Sequence, residues 1–264
     1  MEEIITSVQN PKVKQLLALQ QKSSLRRESG LFVVEGVREL EHCVNAGYEL
    51  DTVFYCREIL PSGKIPAGLD NGRVRTVCLS RPVYEKVAYR EGTEGVIAEV
   101  RSRFRTLDSL ELPANPLIVV LEAVEKPGNL GAVLRSADAA GADAVFVCDP
   151  LTDIYNPNLI RASLGAIFSV PVVCCSSEEA IGFLKNRGIG ILTAQLQDSE
   201  LYYDTPMTAG TALVMGTEST GLTNIWRQAA DAHIRIPMLG KLDSLNVSVS
   251  TAILLFEAVR QRNA

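Results

Sequence analysis

A short loop bounded by two glycines is the first stretch of this sequence whose residues could do chemistry. The apolar run 211–215 stops at Gly216, and Gly221 precedes a helical pattern that begins at Thr223. This order predicts a strand, a loop and a helix start, so we expect a ligand to contact the backbone of the loop. The spacing of the glycines matches a phosphate-binding loop, but Leu222 stands where that motif requires Lys, which disfavours a nucleotide triphosphatase.

A second loop with polar residues follows. Residues 234–236 are typical of a buried strand, and Pro237 and Gly240 end it. Ser244 is placed to cap a helix, and Asn246 lies in the first turn, where its amide can bond to free backbone groups. We interpret the apolar stripe of this helix as core, although it would also suit a dimer contact. The stripe consists of Leu245, Val249, Ala252, Ile253, Phe256 and Val259.

A third candidate segment begins with a predicted strand at residues 117–121. After a Pro-Gly loop, Asn129 is placed to cap a helix. Arg135 points away from the apolar stripe of that helix, and a surface pair with Asp138 would be enough to explain it. The predicted buried stripe consists of Leu130, Val133, Leu134 and Ala137.

These loops need elements that bring them together. Five or six near-continuous apolar strands alternate with helices over residues 117–264, which predicts an α/β fold with a mostly parallel sheet covered by helices on both faces. Ligands gather at the carboxyl ends of such strands. We therefore expect the strand ends at Thr193, Gly216 and Pro237 to converge on one pocket.

The front of the chain reads as a separate, smaller α/β domain over residues 1–105, joined by a linker at 106–116. Residues 1–105 carry 16 Lys and Arg against 14 Asp and Glu, whereas the remainder carries 10 against 17. If RNA binds, the front is the better candidate to hold it. Its basic entry segment is either a solvated helix face or an arm that contacts phosphates. The residues concerned are Lys12, Lys14, Lys22, Arg26 and Arg27.

Composition excludes several classes of protein. The six cysteines lack the paired spacing of a metal site, so we expect free buried thiols. Only His42 and His233 are present, which leaves little for a zinc site or a serine-histidine hydrolase, and we expect no metal. No secretory signal or membrane-length apolar run is visible, so we expect a soluble, cytoplasmic protein without a membrane partner.

Three segments together resemble, in order, the motifs of the SpoU (TrmH) family of RNA ribose 2′-O-methyltransferases. They read LIVVLEAVEKPGNLGAVLRSADAAG, VMGTESTGL and IRIPMLGKLDSLNVSVSTAILLFEAV. The front segment FVVEGVREL resembles the substrate-binding domain of such enzymes, which is similar in fold to ribosomal protein L30e. The resemblance implies a trefoil knot in the back domain, S-adenosylmethionine as cofactor, a homodimer through the knotted domain, and RNA as partner, with ribosomal RNA favoured.

The resemblance also implies site residues. Arg135 would be catalytic, with Asn129, Glu218, Ser244 and Asn246 ordering the hydrogen bonds around it. Because a free guanidinium is a weak base, we favour Arg135 as a phosphate clamp or as a stabiliser of the developing alkoxide. Glu218 could instead cap the amides of its own loop. The implied cofactor-binding residues are Thr193, Ala194, Gly216, Ile236, Met238 and Leu245.

Two other functions fit the sequence less well. One is an RNA base methyltransferase of the same knotted superfamily, and the other is a non-catalytic RNA-binding protein that keeps the fold as a scaffold.

Overall fold

The computed structural model contains two β-sheets with helices packed against them. It describes residues 4–61, 63–69, 72, 74–89, 94–217, 220–241 and 244–264. In these residues the strands are β1 (Ile4–Ile5), β2 (Leu31–Glu35), β3 (Leu50–Tyr55), β4 (Arg75–Leu79), β5 (Val96–Arg101), β6 (Leu117–Glu122), β7 (Ala144–Cys148), β8 (Val172–Cys175), β9 (Gly190–Ala194), β10 (Glu200–Leu201), β11 (Thr211–Met215) and β12 (Ala232–Arg235). The helices are α1 (Pro11–Gln21), α2 (Ser23–Ser29), α3 (Val37–Asn45), α4 (Arg81–Val87), α5 (Pro127–Ala139), α6 (Pro157–Ser163), α7 (Ala166–Ser169), α8 (Ser177–Asn186), α9 (Asn224–Ala229) and α10 (Val247–Arg262). The predicted α/β class is confirmed.

By their internal contacts, the residues form two compact units. The first comprises Met1–Arg103 and Asp153–Ser169, and the second comprises Phe104–Thr152 and Val170–Ala264. The sequence pattern places residues 153–169 in the back domain, because they follow one of its strands. Their contacts place them in the first unit instead.

Aromatic packing and one ion pair hold Asp153–Ser169 in the first unit. The ring of Tyr155 stacks on Phe32 with centroids 4.1 Å apart, and Phe168 lies 6.2 Å from Phe32. Asp153 accepts a hydrogen bond from Arg26 Nε at 2.6 Å. The segment therefore completes the core of the first unit.

The first unit is built on a five-stranded mixed sheet in the order β1-β4-β3-β5-β2. Strands β1, β4 and β3 run parallel, and β5 is antiparallel to both β3 and β2. The apolar face of α1 packs on this sheet through Val13, Leu16 and Leu19. The predicted cap is confirmed, since Asn10 accepts a hydrogen bond from the backbone N–H of Lys12 at 2.9 Å.

The basic residues of the entry segment differ in their exposure to solvent. Arg26 is only 4% exposed. Besides its contact with Asp153, its guanidinium donates to the carbonyl oxygens of Leu19 and Gln20. The idea that Arg26 is a phosphate-contacting residue is wrong, because its donors are committed inside the unit. The exposed members are Lys12, Lys14, Lys22 and Arg27.

The second unit is built on a seven-stranded sheet in the order β10-β12-β9-β11-β6-β7-β8, and every neighbouring pair is parallel. Its central strands are fully buried, as expected for near-continuous apolar runs. Val214 is in register with Thr193, and Ile234 is in register with Ala194. The carboxyl ends of β9, β11 and β12 therefore lie side by side.

Helices cover both faces of this sheet. One face packs against α8 and α9, with Trp226 fully buried among the alternate residues of β6, β7 and β11. On the other face α5 and α10 pack against each other. The predicted buried stripe of α5 is confirmed, because its four residues have no exposed surface.

The apolar stripe predicted for the last helix is not the face that α10 buries. Val249 is 47% exposed, Phe256 49% and Leu245, just before the helix, 40%. The interpretation of this stripe as core is wrong. The buried face of α10 consists of Val247, Thr251, Leu254, Leu255, Glu257 and Ala258.

The segment predicted as a linker is ordered on the second unit. Residues 107–109 form a short 3₁₀ helix. Leu110 is buried, and Leu107 and Leu112 pack against the same core. This packing involves three leucines, which stand among the prolines and charges of residues 106–116 without a regular period.

The cysteines are free thiols, as expected. Four are buried, but Cys174 is exposed, contrary to the expectation that all six would be buried. Burial raises the pKa of the Cys43 thiol well above its usual range. In the described part of the chain, no helix has both the length and the apolar character that a bilayer crossing requires.

Candidate functional site

A cavity of about 710 Å³ lies at the carboxyl ends of β9, β11 and β12. The predicted convergence of three strand ends is confirmed, because residues that follow each of these strands line the cavity. Five of the six residues expected to bind the cofactor belong to this lining. They are Ala194, Gly216, Ile236, Met238 and Leu245.

Thr193 is the exception. It has no exposed surface and is not among the residues that line the cavity. Its hydroxyl lies 2.6 Å from Nδ1 of His233 on the neighbouring strand β12. Thr193 therefore joins two strands beneath the site, and the next two residues, Ala194 and Gln195, line the cavity.

Gly216 is fixed by steric crowding as well as by its place in the cavity. A Cβ atom at this position would lie 2.4 Å from the carbonyl carbon of Gly221 and 2.5 Å from the nitrogen of Leu222. Gly221 has φ +68°, and a β-bridge joins Thr217 to it. The loop after β11 therefore folds back on itself, and only glycine fits where it begins.

Asn246 caps α10. Its side-chain oxygen accepts hydrogen bonds from the backbone N–H of Ser248 at 3.0 Å and from the Ser248 hydroxyl at 2.6 Å. The prediction that Ser244 caps this helix is wrong, since the helix begins at Val247 and Asn246 holds the capping position. Ser244 lines the cavity instead.

Asn129 and Asn246 meet across 117 residues of sequence. The side-chain amide of Asn246 donates to Oδ1 of Asn129 at 3.1 Å. Asn129 is not the cap of α5, as the sequence suggested. The helix begins at Pro127, whose fixed φ suits a first helical position, so Asn129 falls within the first turn.

A smaller cavity of about 290 Å³ adjoins the first one. Gly216, Thr217 and Val247 line both. Asn129 lines the smaller cavity and Asn246 the larger, so their hydrogen bond lies where the two meet.

The smaller cavity also contains charged residues that the motif comparison did not single out. Lys126, with Glu125 beside it, lines this cavity. The one sequence signal for Lys126 is its position directly before the proline that starts α5.

One of the expected catalytic residues is not assembled with the asparagines, and another cannot be placed. Arg135 is exposed on α5, two turns beyond Asn129, and neither cavity is lined by it. Its predicted orientation, away from the buried stripe, is confirmed. Glu218 lies outside the described residues.

The arrangement is suited to positioning rather than to covalent chemistry. Two adjoining cavities can hold two reactants, and an amide pair at their junction offers both donors and acceptors to whichever atoms meet there. Apolar side chains, polar side chains and loop backbone together line the larger cavity, which has the size of a small-molecule site.

Comparison with known proteins agrees with this geometry. Residues 116–256 match the SpoU rRNA Methylase family, and residues 10–98 match the MRM3-like substrate binding domain. The chain is 32% identical to the 23S rRNA (uridine(2479)-2′-O)-methyltransferase of Streptomyces viridochromogenes, over 98% of this chain and 92% of the relative. It is 30% identical to the 23S rRNA (guanosine(2553)-2′-O)-methyltransferase RlmP of Bacillus subtilis, over 96% and 97%.

Solved structures are similar over nearly the whole chain. A crystal structure of an RNA 2′-O ribose methyltransferase matches with a TM-score of 0.84 at 37% identity, covering 99% of this chain and 100% of that one. The AdoMet-bound rRNA methyltransferase from Sinorhizobium meliloti matches with a TM-score of 0.89 at 28% identity, covering 98% and 97%. The resemblance seen in the three motifs is therefore confirmed, and the chain belongs to the SpoU rRNA methylase family.

Proposed function

We propose that this protein transfers the methyl group of S-adenosylmethionine to a ribose 2′-hydroxyl of ribosomal RNA. The observation that carries the proposal is the convergence of the three motif loops on one cavity, with the Asn129–Asn246 hydrogen bond beside it. The relatives named above act on 23S rRNA at the 2′-oxygen, and one similar structure holds AdoMet.

The larger cavity fits S-adenosylmethionine. Its volume suits a ligand of that size, and the crowding at Gly216 keeps a side chain out of the wall where the loop begins. Ile236, Met238 and Leu245 would contact the adenine, with backbone groups of Ala194 and Gly216 supplying polar contacts. The cofactor supplies a methyl group on a positively charged sulfur, which reacts with an oxygen nucleophile in line.

The smaller cavity is the proposed seat of the target nucleotide. The amide pair of Asn129 and Asn246 would orient the 2′-hydroxyl toward the cofactor, and Lys126 would hold an adjacent phosphate. We assign Ser244 and Glu218 to the surrounding hydrogen-bond network.

Arg135 is proposed as a phosphate clamp. An exposed guanidinium keeps its charge and binds phosphate bidentately, which suits a residue outside the two cavities. Proton abstraction by Arg135 would need a dry site, whereas this side chain is solvent-exposed.

We propose that residues 1–105 hold the RNA, that 106–116 connect, and that 117–264 catalyse. The exposed lysines of α1 and the exposed Arg27 of α2 would supply phosphate contacts. The reaction would take place in the cytoplasm, where ribosomal RNA is found. The trefoil knot of the back domain remains an expectation from the family.

A homodimer is proposed through α10. Val249 and Phe256 are exposed apolar residues of α10, which a second copy of the chain would cover. Light scattering after size exclusion should give twice the mass of one chain for the wild type, and the monomer mass for Phe256→Glu. A monomeric wild type would contradict this assembly.

The function is tested by methylation of ribosomal RNA in vitro, with nuclease digestion and mass spectrometry of the product. We expect the methyl group on a ribose. A methyl group on a base would overturn the proposal in favour of a base methyltransferase, and the absence of both transfer and cofactor binding would favour a scaffold.

A single substitution tests the role of the Asn129–Asn246 amide pair. Asn246→Asp keeps the oxygen that caps α10 but removes the N–H that reaches Asn129. We expect turnover to fall about 100-fold with unchanged thermal stability, as for loss of a positioning group. Unchanged turnover would remove the pair from the mechanism.

A further inference from the structure

Arg227 is a charged residue in the wall of the larger cavity that the motif comparison does not single out. It lies on α9, is half-buried and lines the cavity. Its Nε–H is enclosed and has no hydrogen-bond acceptor among the residues that the structure describes. An enclosed guanidinium N–H without an acceptor is costly, so this position calls for a ligand that supplies one.

Hydrogen bonds hold the helix that carries Arg227 at two points. At its start, the backbone N–H of Thr223 donates to a carboxylate oxygen of Glu122 at 2.9 Å, and the Thr223 hydroxyl donates to the other oxygen. One residue before Arg227, the indole N–H of the buried Trp226 donates to Ser177 Oγ at 2.8 Å. The backbone of Arg227 is therefore fixed at the cavity wall, and Glu122 is engaged by Thr223.

The charge of the wall indicates what kind of ligand group binds there. The described lining contains two cations, Arg227 and Arg235, and no carboxylate. Arg235 already donates to the hydroxyl of Ser199 at 3.4 Å. Arg227 has no such contact with the residues that the structure describes, so an anionic group of the ligand is the complement it lacks.

Gln195 places a hydrogen-bond acceptor, rather than a donor, in the same cavity. Its side-chain N–H donates to the carbonyl of Gln197 at 2.9 Å, whereas its side-chain oxygen is enclosed and accepts no hydrogen bond in the described part of the chain. A donor without an acceptor and an acceptor without a donor thus line one cavity. An α-amino acid group, with its carboxylate and ammonium, matches both.

We propose that Arg227 binds the carboxylate of the methionyl group of S-adenosylmethionine and that Gln195 accepts a hydrogen bond from its ammonium. This inference rests on the proposed function, because it concerns the same cofactor. It makes Arg227 and Gln195 the residues that select a ligand with an intact amino acid tail.

The test compares three ligands by calorimetry. S-adenosylmethionine has the whole tail, decarboxylated S-adenosylmethionine lacks only the carboxylate, and 5′-deoxy-5′-methylthioadenosine lacks the tail entirely. For Arg227→Gln we expect binding of S-adenosylmethionine to weaken about 10- to 100-fold, the usual effect of losing a charge-assisted hydrogen bond. Binding of the other two ligands should stay within about twofold of wild type, which also shows that the variant is folded.

Matched variants complete the test. Arg235→Gln removes the other cation of the lining and should leave the affinity ratio of the three ligands unchanged. Gln195→Leu should weaken binding of both ligands that carry the ammonium and leave methylthioadenosine unaffected.

The outcomes separate the inference from the function it rests on. Equal losses for all three ligands in Arg227→Gln, or no loss for any, would overturn the inference while the proposed function stands. The same holds if Arg227→Gln raises only the KM for RNA, since Arg227 would then contact a phosphate. A wild-type protein that binds none of the three ligands would overturn the proposed function as well.

Discussion

The two sheets of this protein use buried polar groups in different ways. In the first unit, polar side chains inside the fold join segments that are distant in sequence, as Arg26 does with Asp153 and Gln15 with Glu99. In the second unit, some buried polar groups also join distant segments, as Glu122 does with Thr223, but others line the cavity where β9, β11 and β12 end. The difference teaches that buried polar groups of the first unit serve the fold, whereas the second unit also presents polar groups to a ligand.

The sharpest test of this contrast is Arg26→Met. Removing one partner of a buried ion pair leaves the other charge uncompensated, so we expect the free energy of unfolding to fall by about 3–5 kcal/mol. Circular dichroism in urea should show the loss. The single tryptophan, Trp226, reports the second unit by its fluorescence.

A matched control removes an arginine from an exposed ion pair of the same unit. Arg81 pairs with Glu85 on the surface of α4. Arg81→Met should leave the unfolding midpoint where it is. Equal midpoints for the Arg26 and Arg81 variants would break the comparison.

In the second unit, Gly216→Ala should act mainly on the ligand. The added Cβ collides with the backbone of Gly221, and overpacking of this kind costs about 1–3 kcal/mol. Calorimetry should show cofactor affinity at least about tenfold lower, since the loop must move away from the cavity. Gly240→Ala is the control, because a Cβ at that position meets no described atom within 4 Å. Wild-type affinity in Gly216→Ala would mean that the loop adapts.

Glu99 makes the stability of the first unit depend on pH. Burial raises the pKa of Glu99 to about 7, nearby Asp51 adds to the rise and Arg75 opposes it. One carboxylate oxygen of Glu99 accepts no hydrogen bond from the residues that the structure describes. Because the folded pKa lies above the unfolded value near 4.5, the stabilising effect of the proton is present at low pH and is lost as pH rises through 7.

The stability of Glu99→Gln relative to wild type should therefore increase as pH rises. We expect the difference in unfolding free energy between the two proteins to change by about 1–2 kcal/mol between pH 5 and pH 8, after allowance for partial solvation. Urea titrations at the two pH values measure this difference. Parallel stability curves would show that Glu99 is ionised in the folded protein throughout.

The smallest expected effect is that of Asn246→Ala on stability. Loss of a helix cap costs about 1 kcal/mol. Asn246→Asp keeps the capping oxygen and should retain wild-type stability, so the pair of variants separates the cap from the contact with Asn129. A thermal melt of each variant is sufficient. A loss of several kcal/mol in Asn246→Ala would put this residue among the fold-stabilising groups instead.

The sequence predicted the position of the cavity better than it predicted which helix faces are buried. Strand ends follow from apolar runs and glycine, which is why the cavity at Ala194, Gly216 and Ile236 was foreseeable. Periodicity shows that one face of a helix is apolar but not what contacts it. The stripe of α5 is buried, whereas the equally regular stripe containing Phe256 is partly exposed.

At the helix starts, more than one residue had the chemistry of a helix cap. Ser244, Asn246 and Asn129 all have capping chemistry, and only the exact start of each helix decides among them. Arg26 was read as a surface cation because its partner Asp153 is 127 residues away. The unpaired groups of Arg227 and Gln195 had no sequence signal, since their significance depends on which partners they lack in three dimensions.

The assignment of Asp153–Ser169 to the first unit has a consequence for synthesis on the ribosome. The amino-terminal residues leave the exit tunnel long before Tyr155 and Phe168 are synthesised. Phe32 and the guanidinium of Arg26 therefore lack their contacts with this segment while the first strands of the second sheet are being made. A fragment that stops at residue 105 would lack those partners permanently, and we expect it to be less stable than the intact first unit.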